Sequence, residues 1–185
     1  MAHNYNKILV VDLEATCWQE EAPPEGQSRD IIQVGFVILD TATGEISMPI
    51  DYLVKPERSE ISDFCRDLTG ITKSKVYRGG FDFKKVCDLL EHKWGSKGKL
   101  WAAWGNDALM FSRQCKEMNV DYPFGTDYIN ISAFYNACFG TKSTSLTKIM
   151  EKENIPFIGK AHTASADALS ASKLLYRIIE KTRKN

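Results

Sequence analysis

The sequence predicts an α/β domain built on a mixed sheet. Three observations predict it. Strand-like apolar runs crowd the first third of the chain, helical spacing dominates the remainder, and two further short apolar runs interrupt that helical part.

Ile8-Leu9-Val10-Val11 is a short apolar run of the kind a buried strand requires. Ile31 to Leu39 is a second and longer one, and Ile50 to Val54 a third. The turn-rich stretch Asp40-Thr41-Ala42-Thr43-Gly44-Glu45 between them predicts an antiparallel hairpin. Leu100 to Trp104 supplies a fourth strand and Tyr128 to Ile131 a fifth. Phe83, Val86, Cys87, Leu90 and Trp94 share one helical face. Ala108, Phe111, Cys115 and Met118 share another, as do Ile131, Phe134, Tyr135 and Cys138, with Gly140 as a stop signal. Leu146, Ile149 and Met150 predict a short helix ending near Pro156, and the last helix runs from about Thr163 to Lys181. Gln19 to Arg29, with Pro23, Pro24 and Gly26, reads as a polar loop.

The 185 residues fit a single domain over 1–185. Lys plus Arg (24) balances Asp plus Glu (24), which excludes a bulk electrostatic grip on nucleic acid or on an anionic membrane. No apolar run is long enough to span a bilayer, so no membrane partner is expected, and the first residues show no signal-peptide pattern. Five scattered cysteines without a C-x-x-C pair argue against a zinc module and a disulfide framework. The expected location is a reducing one, the cytoplasm.

The informative residues are carboxylates in unusual places. Asp12 and Glu14 end the first apolar run, and a spacing of two puts both on one face of the strand. Paired carboxylates repel unless protonated or bridged by a hard cation; alone, so common a pair reads first as a solvated strand end. Asp107 follows the fourth strand, where sites gather in α/β sheets, although an acid there also suits a helix cap. Asp167 falls among Ala164, Ala166 and Ala168 on a helix bound for the core, where an acid needs a partner or a metal. Of the three histidines, His3 is near the terminus and His92 lies in the charged Glu91-His92-Lys93, so a general base would be His162. His162 and Asp167 share a site only if His162 sits on the loop just before the helix.

Asp12-x-Glu14, then Asp107, then His162 with Asp167 five residues later resembles the ordered signature of the DEDDh 3′–5′ exonucleases. Val11-Asp12-Leu13-Glu14-Ala15-Thr16-Cys17-Trp18 is similar to the opening motif of the Eri-type branch, which includes the histone-mRNA 3′ exonuclease. Asp30-Ile31-Ile32-Gln33 and the segment from Ser62 to Thr72 support it. Two features depart from the pattern: Ala166 stands where many relatives carry a second acid, and the length leaves no room for the extra RNA-binding domain of the histone-mRNA enzyme.

The resemblance implies an RNase H-like fold, a mixed five-stranded sheet flanked by helices, and two Mg²⁺ ions for which Mn²⁺ can substitute. It implies Asp12 bridging both ions, with Glu14 and Asp167 on one, Asp107 on the other, and His162 as the base. It places Ala15, Thr16, Leu68 and Thr69 against the 3′-terminal nucleotide, with Trp18 as a stacking candidate and Lys142, Lys148 and Lys160 as phosphate candidates. Tyr135 and Phe139 are expected in the core. The implied substrate is single-stranded RNA or an RNA 3′ overhang, with single-stranded DNA as the alternative. A catalytically weak nucleic-acid-binding homologue is the reading from another class.

Overall fold

The computed structural model describes residues 6–142 and 145–183; His3 lies outside them. Five strands form one sheet in the order β3-β2-β1-β4-β5. They are β1 (Lys7–Ala15), β2 (Ile31–Asp40), β3 (Ile50–Leu53), β4 (Leu100–Ala103) and β5 (Tyr128–Asn130). The first three strands are antiparallel, as the turn-rich linker predicts, and β4 and β5 run parallel to β1.

Among the described residues seven α-helices flank the sheet: α1 (Asp63–Thr69), α2 (Lys73–Gly79), α3 (Phe83–Asp88), α4 (Asp107–Glu117), α5 (Ile131–Phe139), α6 (Leu146–Lys152) and α7 (Ala164–Arg183). Strand periodicity sorts the core into two layers. Leu9 and Val11 of β1 pack with Phe83, Val86 and Leu90 near α3 and with Phe111 of α4. Ile8 and Val10 face the opposite way, onto Ile131, Met150, Leu174 and Leu175. The layer under α7 is thus the one toward which Asp12 and Glu14 also point, because they continue the Ile8–Val10 face.

Tyr135 is fully buried in this second layer and donates its hydroxyl to Glu153 Oε1 at 2.8 Å, while Phe139 packs at its edge. The helical face expected from Phe83 to Trp94 is kept, but beyond Asp88 the backbone widens into a π turn, Leu89–Lys93. Leu90 stays buried, and Trp94 Nε1 still reaches the Tyr52 hydroxyl at 2.8 Å. Among the described residues no helix is long and apolar enough to cross a membrane.

Candidate active site

β1 carries its two acids past the apolar run, so Asp12 and Glu14 still belong to the strand. In the β1–β2 ladder Asp12 lies opposite Gly35 and Glu14 opposite Gln33, and in the β2–β3 ladder Gly35 lies opposite Asp51. Gly35 therefore sits between two carboxylates in one cross-strand row. The missing side chain is filled by the start of α7: a Cβ on Gly35 would lie 2.2 Å from both the Ala164 carbonyl carbon and the Ser165 nitrogen. A mid-strand glycine marks such a backbone approach.

Two side chains of the neighbouring strands hold that helix end. The Ala164 N–H donates to Gln33 Oε1 and the Ser165 N–H to Asp51 Oδ1, both at 3.1 Å. They satisfy amides that have no partner within the helix, and the carboxylate suits the positive end of the helix dipole. The residues before α7 form a loop with left-handed turns at Gly159 (φ +85°) and His162 (φ +63°). His162 is thus on the loop side of the helix start, as shared placement with Asp167 requires. Its N–H donates to Asp167 Oδ2 at 2.9 Å, so the acid also ties down the loop.

Asp107 opens α4 after a turn in which Gly105 has φ +87°. The Gly105 carbonyl accepts from Asn130 Nδ2 at 2.7 Å and from the Tyr128 hydroxyl at 3.3 Å, so β5 fixes that turn. The Leu13 backbone hydrogen-bonds the Asp107 carboxylate. Its Oδ2 is buried with no hydrogen-bond partner.

These acids lie in one electrostatic field. Burial, then Asp107, Asp167, Glu14 and Asp51, hold the Asp12 carboxyl well above the usual carboxylate range. Burial, then Asp167 and Asp107, push Glu14 up to about 8. Burial and then the Asp167 charge push Asp107 up to about 7, against the Leu13 hydrogen bond. Burial raises Asp167 as well, opposed by the hydrogen bond from His162. Ligand atoms of Glu14, His162 and Asp167 lie within 4.8 Å of one another. Crowded, desolvated carboxylates with one bare oxygen are the donor set of a hard divalent cation, so the residues present fit the implied metal.

The segments expected at the terminal nucleotide are tied together through α1. Ser62 Oγ donates to the Cys17 carbonyl at 2.6 Å and accepts from the Cys65 N–H at 3.0 Å, while Cys65 Sγ contacts the Ala15 carbonyl at 3.6 Å. Ala15 and Leu68 are half-buried, as is Trp18. Thr16 is committed within the fold. It is fully buried, its N–H donates to the Asp30 carbonyl at 2.8 Å, and its hydroxyl bonds the Asp30 N–H and Ser59. Neither its amide nor its hydroxyl is available to a sugar. Thr69 is buried with its hydroxyl on the Cys65 carbonyl at 2.8 Å. Lys160 lies across from Gly70, and Lys148 is an exposed residue of α6.

Sequence reasoning missed Gln33, Gly35 and Asp51 as site residues. A polar residue and a glycine inside the apolar run Ile31–Leu39, and an acid inside the third strand, were the available signals.

Residues 9–175 match the exonuclease family of the RNase T type. The chain is 31% identical over 188 residues to human 3′-5′ exoribonuclease 1, covering 95% of this chain and 53% of that protein, about half its length. Drosophila melanogaster 3′-5′ exonuclease Snipper is 24% identical over 198 residues, with 95% of this chain and 70% of that protein covered. Among solved structures, the nuclease domain of 3′hExo, a DEDDh family member bound to rAMP, superposes with TM-score 0.82 at 30% identity, covering 96% of this chain and 94% of that one.

Proposed function

Because the chain belongs to the exonuclease family and has DEDDh nucleases as structural neighbours, we propose that it hydrolyses single-stranded RNA from the 3′ end, releasing nucleoside 5′-monophosphates. The observation that carries this reading is the clustering of Glu14, His162 and Asp167 within 4.8 Å of one another, in one electrostatic field with Asp12 and with Asp107, whose Oδ2 is bare. All five residues of the DEDDh signature are present, which favours this reading over that of a binding homologue without catalysis, and metal-dependent release of mononucleotides separates the two.

Asp12, Glu14, Asp107 and Asp167 would hold the divalent cations, Mg²⁺ or Mn²⁺. Such ions, when bound, stabilise charge on the attacking and leaving oxygens of an in-line displacement. His162 takes the proton of the attacking water. Its backbone bond to Asp167 fixes the loop that presents the imidazole. Attack at the terminal phosphorus breaks the bond to the 3′-oxygen of the retained strand, which leaves with a free 3′-hydroxyl. Ala15 and Leu68 flank the terminal nucleotide. Five free thiols are compatible with the proposed cytoplasmic location.

The test uses matched 5′-labelled single-stranded RNA and DNA oligonucleotides with Mg²⁺. Stepwise shortening of the RNA from its 3′ end, with 5′-monophosphates as product, is expected. Internal cuts would sink the exonuclease reading, and faster cleavage of DNA would replace RNA with DNA as the substrate.

A further inference from the structure

Lys75 and Lys160 come from distant parts of the chain and meet at Gly70, the left-handed C-cap of α1. Lys75 Nζ donates to the Gly70 carbonyl at 2.9 Å, and Lys160 Nζ lies 3.6 Å from where a Gly70 Cβ would be. Two ammonium groups drawn to one residue repel each other. Among the described residues neither is in an ion pair, whereas Lys55, Lys73 and Lys97 are paired with Asp82, Glu60 and Glu91. Both line a cleft of about 530 Å³. Asp51, which also lines it, already accepts the Ser165 amide.

The cleft adjoins the carboxylate site. Gln33, opposite Glu14 in register, and Thr163, which follows His162, are part of its lining. Phe81, exposed to 40%, adds an apolar wall. In another groove, along α4, two of the three arginines are held by acids. Its Arg58 is bound to Asp30 and Glu117, and its Arg113 to Glu117.

We propose that the cleft beside Gly70 is a binding subsite for the retained strand, where Lys75 and Lys160 together hold a backbone phosphate on the 5′ side of the scissile bond. The assignment rests on the exonuclease reading and deepens it. A lysine pair recognises phosphate as charge and carries no base identity. The subsite therefore supplies affinity and register to any sequence, next to carboxylates that would otherwise repel a polyanion.

The test is equilibrium binding of a labelled RNA decanucleotide in Ca²⁺ across a KCl series, with cleavage in Mg²⁺ followed separately. Lys75→Gln/Lys160→Gln removes both charges yet leaves an N–H donor for the Gly70 carbonyl. Affinity falls roughly tenfold at low salt, and the slope of log K against log[salt] becomes shallower by roughly 0.7–1.4. Lys85→Gln, on the exposed side of α3, changes neither. A double variant that keeps both affinity and slope overturns the subsite. If that variant behaves as wild type while the wild type still shortens RNA, the exonuclease reading stands alone. If the lysines bind RNA and nothing is shortened, that reading fails instead.

Discussion

The α-carbon of Gly35 faces the backbone of Ala164 so closely that a Cβ would come within 2.2 Å of the Ala164 carbonyl carbon. The atoms in the way are main chain, which a rotamer change cannot clear. Gly35→Ala should push α7 away from β2, carrying Asp167 away from Asp12 and Glu14. A stability loss of about 1–3 kcal/mol and a fall in turnover of at least roughly tenfold are expected. Thermal unfolding and steady-state rates check this; a variant normal in both would mean that the sheet yields instead.

The carboxylates should be separable from the fold. Asp12→Asn or Asp167→Asn removes charge from a site whose chemistry is electrostatic, so turnover drops by orders of magnitude. For Asp12→Asn, the metal-free protein should be no less stable than wild type, because repulsion is relieved. Calorimetry should also show weaker Mn²⁺ binding. Near-normal cleavage by either variant would remove the metal assignment.

Metal-free stability should depend on pH with a defined sign. Glu14 is pushed up to about 8 in the folded protein from an ordinary value of 4.5. A raised carboxyl favours the fold below its unfolded pKa, and that contribution is lost as pH rises through the folded value. Between about pH 4.5 and 8 the wild type should therefore lose stability relative to Glu14→Gln. Mg²⁺ should diminish the trend by neutralising the ionised site. A wild-type Tm that climbs relative to Glu14→Gln over this window contradicts the burial of Glu14.

His162→Asn should lower the rate of RNA shortening in Mg²⁺ by roughly 10²–10⁴-fold, the loss expected for a general base. Metal affinity, measured by calorimetry, distinguishes the two uses of the residue: a base leaves it near the wild-type value, whereas a ligand does not.

Periodicity made most of the fold legible. β1, β2, α4, α5 and α7 lie where their apolar spacing places them, because each buries a face set by local sequence alone. Helices α1 and α2 escaped that signal. Each is seven residues long and buries one or two side chains, so its evidence lies in the caps, Ser62 with Gly70 and then Thr72. The acids and His162 were singled out by their resemblance to the DEDDh order, and the fold brings Glu14, His162 and Asp167 within 4.8 Å of one another. Gln33, Gly35 and Asp51 were not, because what they do depends on how β2 aligns with β1 and β3. The commitment of Thr16 to Asp30 and Ser59 was hidden for a related reason: it joins segments 14 and 43 residues apart.

The first two acids belong to β1, whereas Asp167 arrives only with α7, the last helix of the chain order. No fragment that stops short of that helix carries the full set of carboxylates. The same helix covers the sheet face formed by Ile8 and Val10. A chain that stops before residue 164 thus leaves those apolar strand residues without the helix that buries them.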